Sequence, residues 1–326
     1  VQELPVTVLI TVRNNIDTIN RCIESVLNLN YENYMVLVID AFSTDGTYEV
    51  LRNFHKKIEL YRLHGSAPVA YNWAINKIKT EYIALIDGDC IADRNWLKEL
   101  VAGFKSPEIL AVAGYCGTPS GITDLQHVIG IELEDKFAHM PEFPAQAPTM
   151  NLCVRTETAK KLRFDSSLRV GYDSDFCYRL NKIGKIYYNP KAIVYHFHRA
   201  TWRGVLRQQY TTATMMPRLY TKHKKYAKGT NISKPSMIVQ PFLFYIAIIA
   251  AVATLIDGRL IFLSLISLVA TLAIWVYDVM RLTKSTKDAL LLLEFFACRL
   301  LGWIAGLPVG VFFLIKGHVK SRPHIS

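Results

Sequence analysis

The sequence predicts an α/β fold with a doubly wound, mostly parallel sheet, followed by a C-terminal transmembrane helical region. Three observations predict it. Short apolar runs in the first ninety residues alternate with helix-patterned segments, the mark of a parallel sheet covered by helices on both faces. Two apolar stretches of about 20 residues follow residue 236, each near the length that crosses a hydrocarbon core. The 326 residues are 51% hydrophobic with a mean hydropathy of +0.18, too apolar for a disordered chain.

The elements follow in order. Residues 6–10 (VTVLI) read as a buried strand, 16–28 as a helix and 34–39 as a second strand. A helix over about 47–56, another from Pro68 to Lys79 and a strand over 82–86 complete the pattern. Two strands end in aspartate, as Ile39-Asp40 and Ile86-Asp87-Gly88-Asp89. Sheets of this kind bind ligands at the carboxyl ends of their strands. A turn alone also favours Asp and Gly, but both clusters fall where the crevice opens. Neither G-x-G-x-x-G nor G-x-x-x-x-G-K-[ST] follows the first strand, so no glycine cradle serves a diphosphate. A divalent cation held by carboxylates is the usual substitute.

Charge is distributed unevenly. Residues 1–175 hold 17 basic and 23 acidic side chains, 176–236 hold 13 and none, and 237–326 hold 8 and 4. A basic block directly ahead of an apolar tail fits anionic membrane lipid better than nucleic acid. Within it Trp202, Leu206, Tyr210, Ala213 and Met216 recur at helical spacing, while Arg199, Arg203 and Arg207 share another face. That is the pattern of an interfacial amphipathic helix. The three arginines suit either lipid headgroups or the phosphate of a lipid-linked acceptor.

Residues 237–256 and 260–277 read as two spans joined by a tight turn at Asp257-Gly258-Arg259. A third apolar segment, 289–315, is interrupted by Glu294 and Arg299 and holds Gly302, Gly306, Pro308 and Gly310, which are expected to break it. The basic loop 281–287 and the group Lys316, Lys320 and Arg322 both belong on the cytoplasmic side. The third segment is therefore expected to be interfacial or re-entrant. No cleavable signal precedes Val6, so the first domain is expected on the cytoplasmic side of an integral membrane protein. The expected domains are 1–198 (catalytic), 199–236 (juxtamembrane) and 237–326 (membrane). Six cysteines without a CxxC pair argue against a disulfide scaffold or zinc cluster.

The segments Val6–Val12 with Arg13-Asn14-Asn15, 38–47 (VIDAFSTDGT) and 82–89 (YIALIDGD) resemble the family 2 glycosyltransferases of GT-A fold. Ala70-Tyr71-Asn72 falls where that family has an Ala-x-Asn helix, and the similarity continues through 151–155, 171–175 and 194–196. It covers about residues 5–215. The resemblance implies that Thr11, Arg13 and Asn14 line a nucleotide pocket, that Asp40 contacts base or ribose, and that Asn72 belongs to the donor site. It implies that Asp87 and Asp89 grip a divalent cation (Mn or Mg) and the ribose, with His196 as a third contact or a plain structural histidine. Asp173 becomes the general base, with helix capping as a compatible second role, and Asp175 supports the first helical turn.

Several departures qualify the resemblance. Thr11-Val12-Arg13 replaces Pro-Thr-Tyr, Ala41 a second Asp and Tyr172 a Glu. Gln208-Gln209-Tyr210-Thr211-Thr212 stands where processive synthases have Gln-x-x-Arg-Trp, which implies a single, non-processive transfer.

The implied chemistry is one displacement at the anomeric carbon of a nucleotide-sugar donor, with inversion. An unperturbed Asp173, pKa about 3.9, is ionised at neutral pH. Two acceptors fit. A polyprenyl phosphate attacks through an oxygen already anionic, whereas a lipid-linked sugar attacks through a neutral hydroxyl and needs a base. Retention of Asp173 favours the hydroxyl. The missing Glu and second Asp keep a non-catalytic, membrane-tethered nucleotide-sugar-binding module in play. Two or three spans with few polar residues argue against a transporter or channel.

Overall fold

The computed structural model describes residues 3–316; Lys320 and Arg322, counted above in the basic terminal group, lie outside them. The chain divides into two compact units. Among the described residues, the first runs to Gly121 and resumes over Lys136–His198; the second comprises Ile122–Asp135 and residues 199–316. The transfer of Ile122–Asp135 to the second unit has no counterpart in the sequence reading.

The first unit is built on β1 (Val6–Val12), α1 (Ile19–Leu27), β2 (Tyr34–Asp40), α2 (Thr47–Arg52), β3 (Glu59–Arg62), α3 (Ala67–Lys77) and β4 (Tyr82–Asp87). It continues with β5 (Cys90–Ala92), α4 (Trp96–Ala102) and β6 (Ile109–Gly117). After α5 (Asp124–Ala138), which begins in the second unit, come β7 (Asn151–Arg155), α6 (Thr156–Leu162), α7 (Tyr172–Leu180) and β8 (Lys185–His196).

The eight strands form one sheet in the order β3-β2-β1-β4-β7-β6-β8-β5. The ladders among β1 to β4 are parallel, as is β6 with β8, while β4–β7, β6–β7 and β5–β8 are antiparallel. The parallel half matches the pattern of apolar runs, because β1 and β4 are covered on both faces and need continuous hydrophobic sequence. On α1, Ile19, Cys22, Ile23 and Val26 recur at the spacing of one helical face, and all four are buried.

The antiparallel half is held by a buried amide. Asn151 accepts a hydrogen bond from the Trp96 indole at 2.8 Å and donates to the carbonyls of Tyr115 (2.8 Å) and Ala192 (2.9 Å). With these partners a fully buried Asn is tolerated and ties β6, β7 and the β8 region into one register.

The second unit holds α8 (Trp202–Lys222), α9 (Pro235–Ala253), α10 (Leu260–Leu282) and α11 (Thr286–Ile315). The last three are long and apolar enough to cross a membrane. Over 289–315 the chain forms one continuous helix, α11, through Gly302, Gly306, Pro308 and Gly310. The glycines do not break it, because their spacing of four places them along one face against α8. A Cβ on Gly306 would sit 2.5 Å from the Tyr210 carbonyl oxygen and 2.8 Å from the Ala213 Cβ.

The face of α8 against α11 is set by the same packing. Val205 and Ala213 are buried and Gln209 accepts a hydrogen bond from the Trp303 indole, whereas Trp202, Leu206 and Tyr210 stay exposed. Gly306→Leu is expected to lower the thermal midpoint of the full chain in detergent, through an overpacking cost of about 1–3 kcal/mol. Gly258, which has nothing within 4 Å of an added Cβ, supplies the silent control as Gly258→Leu.

Arg299 interrupts the apolar sequence because it has a partner. It is 2% exposed and donates through one guanidinium nitrogen to both carboxylate oxygens of Glu132, at 2.7 and 2.9 Å. Asp135 likewise pairs with Arg281 and, at 3.3 Å, with Lys234. The acidic stretch of α5 therefore neutralises basic groups of the helical unit, which is why Ile122–Asp135 belongs to it. A buried charge without such a partner is strongly destabilising. Tyr245 donates to the Ile304 carbonyl at 2.7 Å and Ser264 to that of Ala247 at 2.9 Å, linking α9 to α11 and α10 to α9.

Candidate active site

Ladder register brings the carboxylates to one end of the sheet. Asp40 pairs across from Val12, and Asp87 from Thr11. The chain then turns at Gly88, where a Cβ would lie 2.6 Å from the Val12 side chain, so only glycine fits. Thr18 fixes this turn by donating to the Gly88 carbonyl at 2.9 Å.

Beyond the turn, β5 pairs with β8 so that Cys90 stands opposite His196. Phe197 donates its N–H to the Asp89 carbonyl at 2.8 Å. This pairing carries His196 Nε2 to 3.4 Å from Asp89 Oδ1. The potential ligand atoms of Asp89, Cys90 and His196 all lie within 4.8 Å of one another. His196 Nδ1 meets His198 Nδ1 at 3.1 Å, and burial pushes His198 down to about 3, so it stays neutral.

Burial and the neighbouring Asp89 charge push the Asp87 carboxyl up to about 7, with Asp173 adding to the effect and His196 opposing it. A carboxyl whose proton is held by burial and a neighbouring carboxylate marks a site short of positive charge, and hard oxygen donors suit a divalent cation. The residues fit such an ion. Cys90 brings a softer atom, but burial holds its thiol protonated.

Asp173 stands in the first turn of α7, which starts from Gly171 in the left-handed region at φ +77°. Its Oδ1 accepts the Ser174 N–H at 2.7 Å. Burial raises its pKa above the ordinary carboxylate value assumed from sequence. Asp175 is fully buried and receives Arg179 at 2.9 and 2.8 Å, while Arg179 also holds the carbonyls of Leu162 and Arg163. It is a structural carboxylate, consistent with support of the helix start.

An aromatic wall stands behind Asp173. Tyr71, Phe164 and Tyr172 contact one another with ring centroids 5.0 to 6.0 Å apart, and Phe164 stacks on Phe176 at 4.4 Å. Asn72 builds this wall. Its amide donates to the Phe164 carbonyl at 2.7 Å and accepts the Phe164 N–H at 2.8 Å. The amide expected to bind donor is thus engaged by the backbone at both ends, because Phe164 must be held to buttress Tyr71 and Tyr172.

At the far side Asp40 is fully buried. It accepts the Ser43 N–H at 3.2 Å and Arg62 Nε at 3.0 Å. Arg62 is 33% exposed and its guanidinium lies over the rings of Phe42 (4.5 Å) and Tyr48 (4.0 Å). Asp40 thus anchors Arg62, whose guanidinium is partly exposed beside the two rings. Sequence reading missed Arg62 because β3, ELYR, is largely exposed and carries no apolar run. Asn14, at φ +57°, accepts Thr44 N–H at 2.9 Å and offers its own N–H to Ser43 Oγ at 2.9 Å, clipping the β1 and β2 loops together. Thr11 is half-buried and Arg13 exposed. Arg199, Arg203 and Arg207 belong to the second unit and are exposed there.

Residues 7–159 match the model of glycosyl transferase family 2. The chain carries a family 2 glycosyltransferase domain. It is 27% identical over 212 residues to a pre-mycofactocin glycosyltransferase of Mycobacterium tuberculosis, covering 61% of this chain and 44% of that relative. The chain thus spans less than half of that relative's length. It is 23% identical over 335 residues to a dolichyl N-acetyl-alpha-D-glucosaminyl phosphate 3-beta-D-2,3-diacetamido-2,3-dideoxy-beta-D-glucuronosyltransferase of Methanococcus voltae, covering 94% of this chain and 98% of the relative. Among solved structures, a mannosyltransferase of Pyrobaculum calidifontis in complex with GDP-Man and Mn2+ aligns over 97% of this chain and 88% of its own. Its TM-score is 0.58 at 17% identity, a likeness of GT-A-type fold. The family 2 domain thus sits in an α/β chain ending in three apolar helices.

Proposed function

We propose that this chain transfers a sugar, in one inverting and non-processive step, from a nucleotide-sugar donor to the hydroxyl of a lipid-linked acceptor at a membrane. One observation supports the reading: within a family 2 domain, Asp89 and His196 meet beside Cys90 just past the end of β4, with Asp87 and Asp173 close enough for their charges to interact. Asp89 and His196, with Asp87, would hold a divalent cation (Mn or Mg), which would supply positive charge against the diphosphate as it leaves the sugar. Arg62 packs on the nucleotide base, and Thr11 and Arg13 line the approach to the phosphates. Asp173 takes the proton of the attacking acceptor hydroxyl, and its raised pKa improves it as a base over an ordinary aspartate.

The three apolar helices anchor the chain in the bilayer with the catalytic domain on the cytoplasmic side. Arg199, Arg203 and Arg207, exposed together, hold the acceptor's phosphate or anionic headgroups. The Methanococcus relative, named for a dolichyl-linked sugar phosphate, supports a lipid-linked acceptor. The test is transfer of label from UDP- and GDP-sugars into organic-soluble lipid, using the full chain with a membrane lipid extract and Mn2+ or Mg2+. Label in lipid only with cation supports the reading; no transfer from any donor contradicts it.

Cation binding carries a pH signature. Asp87 must be ionised to bind, yet its proton is held up to about pH 7. Affinity for Mn2+ is expected to be full near pH 8 and to fall by up to about tenfold per unit below 7. Without cation the sign for stability is the reverse. The folded state binds this proton more tightly than the unfolded chain, so stability falls as pH climbs from about 4 through 7. Thermal shifts with and without Mn2+ between pH 5.5 and 8.5 measure both slopes.

A further inference from the structure

α11 is long and apolar enough to cross a bilayer, but the helices packed along it are not. Its first half runs beside α5. Asp124 pairs with Lys287 at 2.7 Å, Asp288 lies 3.7 Å from His127, and Glu132 receives Arg299. Between these contacts Leu125 and Val128 pack with Leu292, Phe295 and Phe296. α5 also carries Glu134, Asp135 and Lys136, too many charges for hydrocarbon. The part of α11 that it covers therefore lies outside the bilayer core. From Leu300 to Ile315 the helix is about 24 Å long at 1.5 Å per residue, short of the roughly 30 Å of a hydrocarbon core.

The second half runs beside α8, in the same direction. The Cys298 thiol donates to the Trp202 carbonyl at 3.8 Å, the Trp303 indole to Gln209 at 3.0 Å, and a Cβ on Gly310 would lie 3.1 Å from Pro217. A crossing α11 would carry α8 with it, and so bury Arg203, Arg207 and Arg218. The chain would then have to return through the bilayer between Lys222 and Lys234, because Lys234 and Arg281 meet on Asp135 at the start of α9 and the end of α10. That return would take Lys224, Lys225 and Lys228 with it. The α9–α10 hairpin has no such burden. α10 exposes Phe262, Ile266, Val269 and Leu272, and its buried Ser264 is paired to α9.

Leu290, Glu294, Leu301, Phe312 and Ile315 are the exposed face of α11, since their positions fall within one stripe at 100° per residue. Glu294 lies in the half that α5 covers, so the stripe is purely apolar only from Leu301 onward. We propose that the chain crosses the bilayer twice, through α9 and α10, and that α11 lies with α8 in the headgroup interface, Leu301, Phe312 and Ile315 entering the lipid. The proposal rests on the membrane-anchoring reading above. It keeps the basic loop 281–287 and Lys316 on one side of the membrane, as their charge requires.

Single cysteines test this, placed at Lys284, Lys316 and Gly258 in the full chain; the first two positions are exposed and the third has open space around an added Cβ. Each variant is expressed in bacteria and treated with a membrane-impermeant maleimide, in intact cells and in inverted membrane vesicles, with the unsubstituted chain as background. Lys284→Cys and Lys316→Cys are expected to label in inverted vesicles only, and Gly258→Cys in intact cells only. Labelling of Lys316→Cys together with Gly258→Cys would make α11 a third crossing and overturn the proposal. Labelling of all three from one side would remove the hairpin crossing, and the anchoring reading would fail first. A spin label on Leu301→Cys, in phosphatidylcholine–phosphatidylglycerol vesicles, is expected within about 10 Å of the phosphates. A label near the bilayer centre would make α11 a deep segment and overturn the proposal even with both ends on one side.

Discussion

Asp173→Asn is expected to lower kcat for sugar transfer by about 10²–10⁴-fold while leaving donor affinity nearly unchanged. The substitution preserves shape, and the amide oxygen still accepts the Ser174 N–H, so α7 keeps its start. What disappears is the ability to accept a proton as the new bond forms. The loss therefore falls on kcat and not on donor binding, as expected for a group that acts only in the transition state. The size of the effect also separates the two acceptor classes. A neutral hydroxyl needs the base and suffers the full loss, whereas an anionic phosphate oxygen needs none. Turnover within about threefold of the unsubstituted chain would move the acceptor to a polyprenyl phosphate. Steady-state kinetics with the labelled donor, at saturating and limiting lipid, supply the measurement.

Asp89→Asn is expected to cost at least about 10³-fold in kcat/KM, by removing charge stabilisation where the diphosphate departs. The amide is nearly isosteric, and the Asp89 carbonyl still receives the Phe197 N–H, so the β5–β8 pairing survives. Two effects accompany the loss. Activity no longer responds to Mn2+ or Mg2+, and the Asp87 proton is released at lower pH, because the neighbouring charge that helps to raise it has gone. A variant that kept its cation response would place the ion elsewhere. Measuring rates across a cation titration, in both chains, distinguishes these outcomes.

How much of this was legible in the sequence depended on the physical signal available. β1, β2 and β4 were readable because strands buried on both faces need continuous apolar runs, and Asp40, Asp87 and Asp89 were readable as their carboxyl-end residues. β3 was not, since an exposed strand of four residues carries no such run, and Arg62 went with it. Side-chain direction was equally silent. Asn72 lies on the expected helix, but its amide is used by Phe164, and Asp40 faces Arg62 rather than an open cleft.

The helical unit shows the same limit. Glycines at intervals of four could signal a break or a close helix contact, and only α8 decided between them. Arg299 read as an interruption because its partner Glu132 is distant in sequence. Tyr172, noted as the loss of a carboxylate, forms part of the aromatic wall with Tyr71 and Phe164.

The most direct measurement of the central claim is a count of bound Mn2+ by electron paramagnetic resonance, on the full chain with a nucleoside diphosphate at pH 8. One ion per chain is expected, lost on Asp89→Asn and weakened as the pH falls below 7. No bound ion, or an ion indifferent to Asp89, would contradict the assignment of the carboxyl end of this sheet as the site of sugar transfer.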